Sequence, residues 1–311
     1  MPDNENMMPN SSMMPLIGVV TVLFNSDDVL PGFFESMARQ LGVRMHLYVI
    51  DNSASDSGAV LSRKLADSHG IQTTVVFKNA NVGVARGNNQ GIELALQDHC
   101  DLILLANNDT EFSPTTIRTL QDAVANGSSR VATPKIMYFD TSDLIWYAGG
   151  HVNPWTMRTP HYGDGQKDLG QFDIARKVGY APTCFMMFDA RVFGEVGRMD
   201  ETYFVYYDDT DFVWRMAARG IAIHYVPQSV VLHKVSSSTG GGQSPFSLRY
   251  VNRNRLYFIR KNLVGFQRVF ALAYALSTRI PKLFFLPPSL ASHGWRGVRE
   301  GLKMEVVKEK A

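Results

Sequence analysis

At 311 residues the chain can hold one large domain or two small ones, and its 45% hydrophobic and 19% charged content is that of an ordinary globular protein. The net charge of +2 conceals an asymmetry: residues 1–245 carry 18 Lys/Arg against 26 Asp/Glu, whereas residues 246–311 carry 13 against 3. Two cysteines, Cys100 and Cys184, exclude a disulfide framework and fit a reducing compartment, and no uncharged apolar run approaches the roughly 20 residues that span a bilayer.

The polar opening MPDNENMMPNSSMM has no signal-peptide core, and residues 1–14 read as a disordered lead. Residues 17–24, IGVVTVLF, form a continuous apolar run that stops at Asn25-Ser26, the pattern of a strand buried on both faces. A helix is predicted near residues 29–41, a second strand at Leu47-Tyr48-Val49-Ile50 ending in Asp51-Asn52-Ser53, and a helix over about 57–68. Residues 73–77 read as strand three, 91–98 as helix, and 102–105 as strand four, ending in Asn107-Asn108-Asp109. Strands alternating with helices imply a mostly parallel sheet flanked by helices, an α/β fold. Each strand stops at a polar cluster, which is where open α/β sheets bind ligands.

No G-x-G-x-x-G follows the first strand and no G-x-x-x-x-G-K-[ST] occurs, so both common phosphate cradles are absent. A metal ion is then the natural way to neutralise a bound diphosphate. Two acidic clusters follow segments that read as buried, Leu104-Leu105-Ala106-Asn107-Asn108-Asp109 and Tyr206-Tyr207-Asp208-Asp209-Thr210-Asp211. Carboxylates at the ends of buried elements are costly unless they bind a cation, a proton or a polar ligand. Two such clusters in one cleft would suit metal-assisted group transfer.

Five ordered motifs, V-T-V-L-F-N, Y-V-I-D-N-S, N-V-G-V-A-R-G-N-N-Q-G-I, L-L-A-N-N-D and Y-Y-D-D-T-D-F-V-W-R, resemble the family 2 glycosyltransferases over roughly residues 15–262. Within them the likeness is to the rhamnosyltransferase-like branch of bacterial surface polysaccharide synthesis. The resemblance implies a GT-A type nucleotide-diphospho-sugar transferase fold over residues 15–245. Its nucleotide-binding half would be 15–125 and its acceptor and catalytic half 126–245, followed by a helical basic extension over 246–311. It also implies a nucleotide-diphosphate sugar donor, Mg²⁺ or Mn²⁺, and inversion at the anomeric carbon.

Carried over by position, the resemblance sets Phe24, Asn25, Asp51, Asn81, Gly83, Arg86, Asn88 and Asn108 on the donor. A carboxylate at Asp51 can accept from a base N–H or a ribose hydroxyl, although Asp-Asn-Ser equally favours a simple turn. Gly83 and Gly87 would let backbone approach the diphosphate and Arg86 would pair with phosphate, unless the segment merely caps a helix from Asn89. Asn107-Asn108-Asp109 departs from the family's D-x-D, and leaves Asp109 as the carboxylate for the metal, with His233 completing the site. Asp208-Asp209 matches the family's acidic pair. Asp209 would be the base that takes the acceptor proton, with Asp208 orienting it; adjacent carboxylates repel, which raises a pKa. The same acids would also suit the N-terminus of a helix over 212–219. Trp146, Trp155 and Asp211 are the candidates for acceptor contact, against core packing for the aromatic rings.

Ser236–Ser238 and Gly240–Gly242 read as a loop able to close over the donor, or as a slack linker. The basic residues of 246–282, interleaved with Tyr, Phe and Leu, suit an interfacial helix on anionic lipid, where a polyprenyl-diphosphate-linked acceptor would reside; docking onto the catalytic domain is the alternative. No nucleic-acid motif accompanies them. These expectations place the protein in the cytoplasm, peripheral on the inner face of the plasma membrane, acting on a glycan or lipid-linked acceptor. A catalytically silent sugar-nucleotide-binding scaffold and a nucleotidyltransferase remain as competing readings.

Overall fold

Apolar runs at the start of the chain form the centre of the molecule. In the computed structural model, which describes residues 14–125, 129–235 and 244–306, β1 (Leu16–Leu23) is flanked by β2 (Arg44–Asp51) and β4 (Leu102–Ala106), with β3 (Thr73–Phe77) outside β2. These four strands are parallel, with Val22 opposite Ile50 and Val20 opposite Leu105. Helices α1 (Leu30–Ala38), α2 (Ser57–His69) and α3 (Val84–Gln97) make the crossovers. The sheet continues through β9 (Phe185–Asp189), β6 (Val131–Tyr138), β10 (Ile223–His233) and β5 (Thr110–Phe112), in the order β3-β2-β1-β4-β9-β6-β10-β5. The central sheet is mostly parallel. Short β5 and β9 join it antiparallel, as do β7 (Ile145–Tyr147) on β6 and β8 (Arg176–Val178) on β10.

Alternation along each strand divides the core. Val20, Leu105 and Met186 point to the face covered by α3, α5 (Val192–Val196) and α6 (Asp208–Ala218), while Val19, Leu104 and Met187 point to the face covered by α1, α2 and α4 (Thr116–Ala125). Helix α3 begins at Val84, seven residues before the sequence predicts. Asn and Gly read locally as loop formers, yet Gly87 and Gly91 lie against β1, where an added Cβ would come within 2.8 Å of Val22 and 2.3 Å of Val20. Gly87 therefore serves helix–strand packing and not an approach to phosphate. Helix α6 likewise starts at Asp208 and not at Phe212, with Asp208, Asp209 and Asp211 in its first turn, where the helix dipole favours negative charge.

The basic C-terminal segment folds into α7 (Pro245–Asn262), α8 (Gly265–Phe284) and α9 (Pro288–Lys303), around Leu256, Tyr257, Ile259, Ala271, Leu283 and Val298. For α7 the expectation of a lipid-facing basic helix is corrected. Its cations turn inward: Arg249 pairs with Glu300, Arg253 donates to the Thr202 and Tyr203 carbonyls, Arg255 to that of Thr156, and Arg260 to those of Gly301 and Met304. Lys261, 6% exposed, lies 2.7 Å from Asp200 and 3.0 Å from Asp211. Charge in the sequence suggested a surface, but backbone carbonyls and buried carboxylates take it up. No helix among the described residues is long and apolar enough to cross a membrane. The predicted Ser236–Ser238 and Gly240–Gly242 loop, and all but the last residue of the 1–14 lead, lie outside the described residues.

Candidate active site

The ends of β1, β2 and β4 and the start of α6 open on one cavity of about 780 Å³. The chain turns that wall it are fixed locally. Asn52 N donates to the Leu23 carbonyl at 2.9 Å, which ties β2 to β1, and its side-chain amide donates to the Gly83 carbonyl at 3.0 Å. Gly83 adopts φ +88° as the cap of α3, where a side chain would lie 2.5 Å from the Phe204 carbonyl. Of the residues the sequence sets on a donor, Phe24, Asn81, Gly83, Asn88 and Asn108 all line the cavity.

Asp109 and His233 come together through strand register. Thr110 of β5 is paired with His233 at the end of β10, so Asp109 stands beside the imidazole with its Oδ1 3.2 Å from His233 Nε2. Both side chains are nearly buried and both line the cavity. Among the described residues no third His, Cys, Asp or Glu joins them. One carboxylate oxygen and one imidazole nitrogen are a sufficient protein donor set for Mg²⁺ or Mn²⁺ when phosphate oxygens and water complete the shell. The pair fits such an ion.

On another wall Asp208 and Asp209 begin α6. Tyr180 O–H donates to Asp209 Oδ2 at 2.6 Å, while Thr210 donates to Oδ1 through its backbone N–H at 2.6 Å and its hydroxyl at 3.1 Å. The tyrosine is itself anchored, since Tyr147 O–H donates to its carbonyl at 2.8 Å and the His161 ring stacks on it at 5.9 Å. Burial pushes the Asp209 carboxyl above the usual carboxylate range, against the Tyr180 and Thr210 hydrogen bonds. Burial, with the Asp209 charge beside it, pushes Asp208 up to about 8. Burial also holds His161 below the usual imidazole value, and its Nδ1 donates to the Trp146 carbonyl at 3.1 Å.

The Asp208 shift has a consequence for the free protein. An acid whose folded pKa lies above its unfolded one adds stability below the unfolded value, about pH 4, and loses it as pH rises through the folded value near 8. Asp208→Asn, which cannot ionise, is expected to melt above the parent at pH 8 in donor-free, metal-free buffer, with the difference shrinking towards pH 4. A melting difference that is flat from pH 4 to 8 would remove the burial argument.

Five predicted site residues are placed elsewhere. Asn25, at φ +49°, is not among the residues lining the cavity and donates its backbone N–H to Ser53 Oγ. Asp51 is fully buried beneath that wall, with Oδ1 accepting from Ser53 N at 2.9 Å; the Asp-Asn-Ser turn is formed, and Oδ2 is buried without a hydrogen-bond partner among the described residues. Arg86, on the outer side of α3, lies 3.5 Å from Glu201 and outside the lining. Trp155 packs edge-on against Phe270 of α8 at 5.6 Å. Asp211 is wholly buried between Arg215, Lys261, Tyr203 and Asn262, so its charge is spent holding α6 to α7. Trp146 does line the cavity, with its ring edge-on to His233 at 4.9 Å.

Sequence reasoning gave no site role to Thr159, His161, Tyr180, Phe204, Phe246 or Val251, all of which line the cavity. It also missed Asn89, whose amide donates to the Met199 carbonyl and accepts from Met199 N, both at 2.9 Å, clamping α3 to the segment before α6.

A cavity outside the carboxyl ends of parallel strands is the ligand site of an open α/β sheet. Residues 18–197, more than half of the chain, match the family described as Glycosyl transferase family 2; the chain belongs to that family and is a glycosyltransferase. It is 25% identical over 227 residues to the dTDP-rhamnosyl transferase RfbF of Shigella flexneri, covering 70% of this chain and 72% of that one. It is 29% identical over 157 residues to the N-acetylglucosaminyl-diphospho-decaprenol L-rhamnosyltransferase of Mycobacterium tuberculosis, covering 45% of this chain and 49% of the relative. Among solved structures, the mannosyltransferase PcManGT from Pyrobaculum calidifontis, in complex with GDP-Man and Mn2+, is similar with a TM-score of 0.58 at 12% identity, over 97% of this chain and 91% of that one. S. aureus TarS 1–349 is similar with a TM-score of 0.57 at 13% identity, over 92% and 79%. These likenesses establish the GT-A fold.

Proposed function

We propose that the protein transfers a sugar from a nucleotide-diphosphate donor to a glycan or lipid-linked acceptor hydroxyl, with inversion at the anomeric carbon. The observation that carries this reading is the convergence of Asp109, His233, Asp208 and Asp209 on one cavity beside the Asn52–Gly83 wall. Asn81, Gly83, Asn88, Asn108 and Phe24 would hold the donor, and Asp51, buried outside the lining, would accept from the base or ribose only if the 51–53 turn opened towards the cavity. Arg86 would reach phosphate only by leaving Glu201. Asp109 and His233 would hold a Mg²⁺ or Mn²⁺, which supplies charge compensation for the leaving nucleoside diphosphate.

Asp209 takes the proton of the acceptor hydroxyl as its oxygen attacks the anomeric carbon, and the bond to the diphosphate breaks on the opposite side of the sugar. Tyr180 and Thr210 hold the carboxylate still, and exclusion of water raises its basicity. Asp208, whose carboxyl burial and the Asp209 charge hold above the usual carboxylate range, would stand beside it as a hydrogen-bond donor when protonated. Trp146 offers a ring face for acceptor C–H surfaces. The relatives named above motivate dTDP-rhamnose as donor and a polyprenyl-diphosphate-linked sugar as acceptor.

Purified protein titrated with dTDP-, UDP- and GDP-sugars, with and without Mn²⁺, is expected to shift its melting temperature with one donor and to release its nucleoside diphosphate slowly. Chelation by EDTA is expected to weaken both responses by about tenfold or more. Binding without any release, in the presence of a lipid-linked acceptor, would favour a catalytically silent sugar-nucleotide scaffold. Silence towards every donor by folded protein would sink the reading.

A further inference from the structure

Helix α8 presents to solvent a face that the fold leaves uncovered. Its buried side, Ala271, Ala275 and Leu283, packs against the other C-terminal helices. On the opposite side Phe266, Phe270, Ala273, Ser277 and Phe284 recur at helical spacing, all exposed, with Phe266 at 74% and Phe284 at 72%. Phe285, the next residue, is 89% exposed. The face carries no charged group, and its one hydroxyl, on Ser277, donates back to the Tyr274 carbonyl at 3.1 Å. Twenty helical residues make a strip of about 30 Å, and Trp155 extends it at one end through its edge contact with Phe270. Single exposed apolar residues are ordinary, but an uncharged strip of this length with exposed aromatic rings at both ends marks a surface that meets something apolar.

Charge names the occupant. No acidic residue occurs between Asp211 and Glu300, and Glu300 is taken up by Arg249 and Arg296. Arg268 and Lys282 near the two ends of α8, and Arg299 on α9, are exposed and pair with no carboxylate among the described residues. An apolar strip on a predominantly cationic helical unit, in which the one acid of α7–α9, Glu300, is paired, matches the interface of an anionic bilayer, with aromatic rings at the headgroup level and cations within a screening length of the phosphates. We propose that α8 lies in the surface of an anionic phospholipid membrane through Phe266, Phe270, Phe284 and Phe285, with Arg268 and Lys282, which helical spacing turns to the other side of α8, adding to the long-range attraction of the positive helical unit. Lipid contact thus belongs to α8 and not to the inward-turned cations of α7.

The test is vesicle flotation, scored without donor or acceptor, so that its failure and a failure of the transferase reading are separable. The full chain is expected to float with phosphatidylcholine vesicles containing about 30% phosphatidylglycerol and to float poorly with phosphatidylcholine alone. Phe266→Glu/Phe270→Glu and Arg268→Glu/Lys282→Glu are each expected to lose about tenfold or more in binding. Neither pair lines the cavity, so melting temperature and donor hydrolysis in solution should stay as in the parent. Parent protein that does not float, or charge-reversed and Glu-bearing variants that float equally well, would overturn the proposal. So would a solution dimer that Phe266→Glu/Phe270→Glu converts to monomer, since the face would then belong to a second copy.

Discussion

Asp209→Asn is expected to lower sugar transfer by about 10²- to 10⁴-fold, the range that a positioned general base contributes, while donor affinity stays within a few-fold of the parent. Asparagine keeps the shape of the side chain: its amide oxygen can still accept from Thr210, and its NH2 in the place of Oδ2 can donate to the Tyr180 hydroxyl, so the fold is not the variable. It cannot take a proton. The parent should show kcat/KM rising with pH through an acid limb above the usual carboxylate range, since Asp209 works only when ionised and burial resists ionisation. The limb belongs to the Asp208–Asp209 pair, because adjacent carboxyls titrate together. Tyr180→Phe removes a donor to the charged form and should move the limb to higher pH. Full transfer activity in folded Asp209→Asn protein would end the base assignment, and an unmoved limb in Tyr180→Phe would end the role of the tyrosine.

The residues that carry this argument were unevenly legible. Asp109, Asp208, Asp209 and His233 each sit inside a short motif at the end of a buried run, so local sequence reveals them. Their meeting depends on sheet order and register, in particular on β5 returning antiparallel to β10 and pairing Thr110 with His233. That information is not local. Tyr180 and His161 come from an irregular stretch between β7 and β9, where neither period 2 nor period 3.6 marks them.

Errors in the predicted elements have the same origin. The start of α3 reads as a loop because Gly87, Asn88, Asn89 and Gly91 are poor helix formers alone. Close packing on Val20 and Val22, and the Asn89 clamp on Met199, override that preference. In α7, Arg255 is 1% exposed although its type is almost never buried; a carbonyl at Thr156 and the ring of Tyr274 receive it. Asp211 shares a motif with the proposed catalytic pair, yet the helical period turns it from the cavity towards Arg215 and Lys261. Spacing inside a motif therefore separates catalytic from structural acid better than the motif itself.

Asn254→Leu is expected to reduce kcat by about 10²-fold while the KM for donor changes by less than about threefold. The segment before the catalytic pair is strained: Phe204, Tyr206 and Tyr207 have φ of +68°, +60° and +67°. Left-handed conformations at aromatic residues cost about 1–3 kcal/mol each and persist only where surroundings impose them. Here the surroundings are α7. Asn254, with no exposed surface, directs its amide nitrogen at the carbonyls of Tyr203, Val205 and Tyr206 at 2.9, 2.6 and 2.9 Å, two hydrogens shared among three acceptors. Arg253 adds bonds to the Thr202 and Tyr203 carbonyls, and Tyr250 stacks on Phe204 at 5.2 Å. From the other side Val84 N donates to the Phe204 carbonyl at 2.6 Å, linking the donor wall to the same segment. Leucine matches asparagine in size but leaves those carbonyls buried and unpaired, at a cost of about 1–3 kcal/mol for each one stranded. The strained backbone would then relax and carry Asp208 and Asp209 with it, whereas Asn52, Gly83 and Asn88 rest on β2 and α3 and would stay. The split between kcat and KM distinguishes bracing from general stability. A variant that melts lower yet keeps kcat would reduce Asn254 to a packing residue, and one that loses kcat and donor binding together would show that the whole cavity had collapsed.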